Sequence, residues 1–341
     1  MRGIWRRTSD RPKWVVEAAI GLLMIPLTAV PIVLYLSYTD DGYLMYLRGR
    51  YAIAAPSTPD LSPEARAAAR RHARTRRGPG IPVLVYHGVG RTAAEAAGSR
   101  FVVSRWRFAE QMHALRAAGY RPVSTSDVAR FVRRGDARRL PRRPVLVTFD
   151  DGRTDAMIQA DPILRDTGMR ATMFVIGEAA SGQSFYYQGW DRLQEYVASG
   201  RWELGNHTDV LHHVADGATS SALATLEPGE TIAGYGERLR ADLRRAQEKI
   251  AARTGAPAVA FAYPFGDWGE RARRAVSRAL KRVLGREFAV AFDQDFQEDW
   301  RFALPGDDPL HVHRLEVENW SVGELLARLA AGARRAVRAA R

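Results

Sequence analysis

A single α/β domain on a mainly parallel sheet, open or barrelled, is the fold class this sequence predicts. From residue 81 onward, apolar strand-like runs alternate with amphipathic helical stretches, about seven strands in all. With 341 residues, 46% of them hydrophobic, the chain is long enough to bury a sizeable core. No internal repeat points to a solenoid or propeller instead.

The elements follow in order. IPVLVYH (81–87) has the continuous apolar character of a buried strand. SRWRFAEQMHALRAAG (104–119) places Phe108, Met112 and Leu115 on one helical face, with Gly119 as its stop. A strand-like YRPVS and a short helix over 126–134, ended by Gly135, come next. PVLVTFD (144–150) and RATMFVIG (170–177) read as strands with a helix between them. WDRLQEYVASG (190–200) reads as a helix, WELGNH (202–207) as a strand, and 236–254 as a helix. AVAFAYPFG (258–266), EFAVAF (287–292) and HVHRLEV (311–317) complete the sheet. The last helix opens on Ser321 and Glu324, a capping box.

Upstream, residues 18–38 (AAIGLLMIPLTAVPIVLYLSY) carry no charge, and at about 1.5 Å per residue they span roughly 30 Å, a bilayer core. Pro26 and Pro31 are tolerated in membrane spans. A cleaved signal peptide is the rival, but its apolar region would be shorter, and the nearest A-x-A, Ala52 to Ala54, lies well downstream. Arg2, Arg6, Arg7, Arg11 and Lys13 precede the run, whereas Asp40 and Asp41 follow it. The positive-inside rule then predicts a single-pass cell-membrane protein with a cytosolic N-terminus and an extracellular remainder. The expected organisation is a basic tail (1–13), an anchor (14–38), a linker (39–80), a catalytic domain (81–320) and a C-terminal basic helix (321–341).

Composition narrows the chemistry. With no cysteine, disulfides and thiolate metal sites are excluded. A net charge of +13 and pI near 10.4 favour anionic partners. Yet the arginine clusters at 66–77, 133–143 and 334–341 lack interleaved aromatics, so no nucleic-acid partner is expected.

In folds of this class, chemistry sits at the C-terminal ends of the strands. There the sequence offers His87, the pair Asp150 and Asp151, His207, and Tyr263-Pro264-Phe265-Gly266. Asp-Asp-Gly could be an ordinary turn. However, GNHTDVLHH (205–213) adds His207, His212 and His213, and three histidines in seven residues point to a metal. Lone histidines such as His72 and His113 are better read as structural or solvated. One carboxylate and two imidazoles leave open positions on a zinc-like ion, where water binds and is acidified. Neighbouring strand side chains face opposite ways, so Asp150 and Asp151 are expected to differ: one ligates, the other serves as base. A non-haem iron oxygenase would use a similar set, but usually on a β-sandwich.

TFDDG (148–152), the NHT of 206–208 with its later histidine, and the PFG of 264–266 together resemble the NodB-homology polysaccharide deacetylases. The resemblance spans about residues 81–318 and implies an irregular (β/α) barrel and a divalent metal, zinc with cobalt or nickel as alternatives. It implies Asp150 as general base, with Asp151 and His207 on the metal. The second metal histidine is His212 ahead of His213, since Leu211 stands where much of the family has it. With TDVLH at 208–212, His212, five residues after His207, resembles the TxDLH arrangement of the poly-N-acetylglucosamine deacetylase branch. In that branch a Tyr-His-x-Val strand supplies the general acid, which makes His87 the acid, with His311 and His313 as runners-up. The backbone N–H of Phe265 would hold the oxyanion. Ala262 replaces the arginine that often fixes the base, leaving Arg314 as a candidate to orient Asp150.

The expected function is removal of N-acetyl groups from an acetylated glycan, either an N-acetylglucosamine exopolysaccharide or peptidoglycan. Rival readings are a membrane-tethered glycan-binding protein with an inactive deacetylase fold, and an enzyme acting on a small cyclic amide. Trp268 and FYYQGW (185–190) are candidates for a sugar-stacking groove, although Trp190, which opens a helix, suits the core better.

Overall fold

The computed structural model describes residues 61–75, 78–182, 184–217, 219–294 and 300–341. The apolar run at 18–38 and its flanks lie outside these. Among the described residues no helix is long and apolar enough to cross a membrane.

The chain enters through α1 (Pro63–Arg74), capped by the Ser62 hydroxyl, which accepts from Ala65 N–H at 3.1 Å. This segment belongs to the expected linker, yet it packs: Ala65 and Ala69 join the main core beneath the C-terminal helix. A stretch of alanines and arginines reads as solvated until a partner surface is known, and that surface is built from two other helices, one of them at 322–339, more than 200 residues later. Beyond it come β1 (Val83–Tyr86), β2 (Gly88–Gly90), α2 (Ala93–Ala97), β3 (Val102–Ser104), α3 (Arg105–Ala117), β4 (Arg121–Pro122) and α4 (Thr125–Arg134). Gly135 closes α4 in the left-handed conformation expected of a C-terminal glycine.

The central run is β5 (Pro144–Phe149), α5 (Thr154–Thr167), β6 (Ala171–Val175), α6 (Gly177–Ser181), α7 (Trp190–Ala198) and β7 (Trp202–Asn206). Then follow α8 (Ile232–Thr254), β8 (Ala260–Ala262), α9 (Arg274–Glu287), β9 (Val290–Phe292), β10 (Leu315–Glu316) and α10 (Val322–Ala339), whose capping box is formed by Ser321 and Glu324. Helix α8 begins four residues earlier than its periodicity indicated, because Thr231 caps it.

Strands run in the order β10-β1-β5-β6-β7-β8-β9, with β4 beside β5 and every pairing parallel. An isolated bridge from Phe292 to Val312 brings β9 back toward the segment entering β10, so the sheet is curled. The expected final strand shrinks to β10 plus this bridge. Alternation sorts the side chains: Val145, Val147 and Phe149 of β5 pack outward on α3 and α5, while Leu146 faces the interior with Val83, Phe174 and Phe292. Val128 and Val132 of α4 join that inner cluster. On the far side Phe261 and Ala291 meet Leu239, Leu243, Leu280 and Leu284 of α8 and α9. All the strand ends that carry candidate chemistry therefore open on one rim.

Candidate active site

Asp150 follows directly on β5 and continues its interior face beyond Thr148. It is 1% exposed, and Arg314, 0% exposed, grips it in a fork: Nη1 donates to Oδ1 at 2.6 Å and Nη2 to Oδ2 at 2.7 Å. The guanidinium is held in turn, since Nε donates to the Asp293 carbonyl at 2.8 Å and Nη1 also reaches the Thr148 hydroxyl at 3.3 Å. Burial works to raise the Asp150 carboxyl, but Arg314, aided by His207, pulls it down to about 2. Arg314 thus stands against the base candidate where Ala262 offers no cation.

Strand alternation predicted that Asp150 and Asp151 would point to opposite faces. They do not, because the strand has ended: Asp151 adopts φ 73°, a left-handed turn continued by Gly152. Both carboxylates then approach His207 Nε2, at 3.9 Å from Asp150 and 3.7 Å from Asp151. Their surroundings still divide them, for it is Asp150 that the Arg314 fork holds.

His207 extends from β7. Its Nδ1 donates to the Ala262 carbonyl at 2.8 Å, and since a carbonyl can only accept, Nε2 is left with its lone pair facing the site. The turn beyond it is pinned by Asp242 of α8, which accepts from the N–H groups of Asp209 and Val210 at 2.9 and 2.8 Å. Thr208 sits inside that turn at φ 72°. These restraints aim His212 Nε2 at His207 Nε2 (3.0 Å) and at Asp151 Oδ1 (3.4 Å). His213 instead turns outward to the Val210 carbonyl, 3.1 Å away, so of the two candidates His212 joins the cluster.

Burial lowers His207 and His212 to about 4 each, with His212 adding to the effect at His207, so both imidazoles are neutral at physiological pH. Neutral imidazoles and a carboxylate are the donor set of a zinc-type ion. A tetrahedral ion with ligands at about 2.0–2.2 Å separates its donors by roughly 3.3–3.6 Å. The three pairs here stand at 3.0, 3.4 and 3.7 Å, so Asp151, His207 and His212 fit a divalent metal.

His87, at the end of β1, faces the same rim beside the Phe101 ring. Its Nδ1 lies 3.4 Å from Glu316 Oε1 on β10. Burial alone would lower His87, but Glu316, with help from Asp150 and Asp151, raises it to about 9, so the ring carries a proton at neutral pH. Sequence reasoning missed Glu316, along with Gln294, whose amide donates to its other oxygen. An acidic residue alternating with Arg314 on the last strand was the available signal. His311 and His313, the runners-up for the acid, gather instead around Asp293.

Phe265 occupies the turn after β8 at φ 58°, its ring half exposed and 4.9 Å from that of His212. Beside it opens a cavity of about 220 Å³ lined by Ser221, Asp267 and Arg271 among others. Phe185 and Tyr186 lie exposed along the opposite edge, tied to the aspartate turn through Tyr186 O, which accepts from Thr154 N–H at 2.8 Å. Trp190 is buried and donates to Ser181, a packing position. Trp268 lies against His311, with ring centroids 4.2 Å apart. A larger cavity, about 420 Å³ between α1 and α10, touches Pro82 and Pro144 at the opposite ends of the strands and none of the residues above.

Comparison with known proteins sets part of the chain beside polysaccharide deacetylases. Residues 137–283 match the polysaccharide deacetylase family model. Over 215 residues the chain is 27% identical to a poly-beta-1,6-N-acetyl-D-glucosamine N-deacetylase of Escherichia coli (strain K12), covering 55% of this chain and 31% of that one. The chain therefore spans less than a third of that relative's length. Among solved structures it resembles IcaB from Ammonifex degensii, with 28% identity, a TM-score of 0.58, and 75% and 98% of the two chains covered. A Streptococcus pyogenes deacetylase in complex with acetate shares the fold at 19% identity and a TM-score of 0.59, over 74% and 99% of the chains.

Proposed function

With a polysaccharide deacetylase domain as the premise, we propose that the chain is a metal-dependent hydrolase removing N-acetyl groups from an extracellular N-acetylglucosamine polymer. One observation carries this reading: two adjacent carboxylates with different employment, Asp150 in the Arg314 fork and Asp151 among the imidazoles.

Asp151, His207 and His212 would hold the ion, of the zinc class that this donor set suits. Such an ion supplies Lewis acidity, lowering the pKa of water and polarising a carbonyl oxygen. Asp150, kept ionised by Arg314, takes the proton of the attacking water. The Phe265 amide serves the developing oxyanion. His87, kept protonated by Glu316, gives its proton to the departing amine, leaving acetate and a free amino sugar. Phe185 and Tyr186 offer faces on which sugar rings can stack. The retained acid, base and ligand set favours an enzyme over a glycan-binding protein.

Acetate release from β-1,6-linked N-acetylglucosamine oligomers and from peptidoglycan fragments tests the proposal. Release should stop on chelation and fall by about 10²- to 10⁴-fold in Asp150→Asn. Tight metal binding without release from either substrate would overturn it.

Residues 14–38 are proposed as the membrane anchor, on the uncharged run and its flanking charges. Recovery of the full chain in the soluble fraction after cell lysis would refute that.

A further inference from the structure

A second group of ligand-type side chains lies at the end of β9, apart from the set above. Val312 N–H donates to the Ala291 carbonyl at 3.0 Å and Asp293 N–H to the Val312 carbonyl at 3.1 Å, which lays the 311–313 segment alongside β9. Val312 packs into the inner core, so its neighbours His311 and His313 turn the other way together. There His311 Nε2 and His313 Nδ1 lie 2.7 and 2.9 Å from one oxygen, Asp293 Oδ2.

Asp293 is 4% exposed, and its second oxygen, Oδ1, is buried with no hydrogen-bond partner. Both imidazoles approach the same oxygen, Oδ2, and leave Oδ1 unserved. A buried carboxylate oxygen left unsatisfied is costly. A cation held by the carboxylate and the two imidazoles removes that cost by using the lone pairs of all three groups. The Trp268 ring covers His311 and shields that side from water.

We propose that Asp293, His311 and His313 bind a second divalent transition-metal ion, of the zinc class that two imidazoles and a carboxylate select. The ion braces the end of β9 against the segment entering β10. Arg314 follows His313 directly and already donates to the Asp293 carbonyl, so the brace also steadies the guanidinium behind Asp150.

Zinc content of the full chain, stripped with chelator, re-equilibrated with a small excess of zinc and freed of unbound metal, tests this independently of activity. Wild type should hold about two equivalents. His311→Gln/His313→Gln should hold about one, as should His207→Gln/His212→Gln. One equivalent in wild type, or unchanged content in the 311/313 variant, overturns the proposal. Because either variant could misfold, crystals of the unmodified chain provide a second measurement. Zinc-edge anomalous density between Asp293 and His311 supports the site, and a hydrogen-bonded His-Asp-His cluster without such density rejects it.

Discussion

Replacing Arg314 by methionine deletes the guanidinium and its five donors while keeping an unbranched apolar stem. Arg314 is fully buried and Asp150 nearly so, so water cannot take over the two contacts at 2.6 and 2.7 Å. In the wild type, burial raises the Asp150 carboxyl and the guanidinium lowers it further, to about 2 against an ordinary 3.8. A depressed carboxylate stabilises the fold above its unfolded pKa; that contribution, about 2 kcal/mol, is lost as pH falls from about 4 to 2. Removing the partner costs more, about 3–5 kcal/mol, because a buried charge is left without compensation. The sign then reverses. With burial dominant, the carboxyl sits above its ordinary value, and the variant loses stability as pH rises through that new pKa. Urea unfolding of chelator-treated wild type and variant at pH 5 and pH 8 separates these effects, and the deficit should be larger at pH 8. The acidic limb of the pH–rate profile should also move upward in the variant, as the base now needs a higher pH to ionise. A deficit below about 1 kcal/mol at pH 8, or one equal at both pH values, would refute the reasoning.

His87→Gln should lower kcat by about 10²- to 10⁴-fold with metal content unchanged, as metal analysis alongside kinetics will check. Glu316→Gln removes the main anion opposing burial at His87, so the basic limb of the pH–rate profile should move to lower pH from about 9. Zinc titration should show His212→Gln weakened at the Asp151 site by at least about 10-fold, with His213→Gln unaffected, since His213 turns to the Val210 carbonyl. A Cβ at Gly205 would overlap the Phe174 ring inside the barrel, so Gly205→Ala should destabilise by about 1–3 kcal/mol in urea unfolding.

Much of this fold was legible because its signals are local. The apolar runs ending at His87, Asp150 and His207, the stop at Gly135 and the Ser321–Glu324 box all depend on neighbours in the chain, and the structure contains each of them. Helix α1 was read as linker because its alanines become a packing face only against α10 and α3. Glu316 escaped notice for the same reason: it meets His87 only after the sheet curls β10 onto β1.

The aspartate pair separates the two kinds of information most sharply. Strand alternation assigned Asp150 and Asp151 different work by sending them to opposite faces. In the folded chain, φ 73° at Asp151 brings both to one rim, so facing cannot be what distinguishes them. The distinction comes from Arg314, 164 positions away, which takes both oxygens of Asp150 and leaves Asp151 to the imidazoles. The need for such a cation was readable from the resemblance, since Ala262 stands where the family often has an arginine. Its exact partner geometry was not, because it depends on β9 and β10 closing around Asp293. Whatever steadies Asp293 therefore also bears on the ionisation of Asp150, and loss of the His311 and His313 pair should reproduce, in weaker form, the pH-dependent deficit of Arg314→Met.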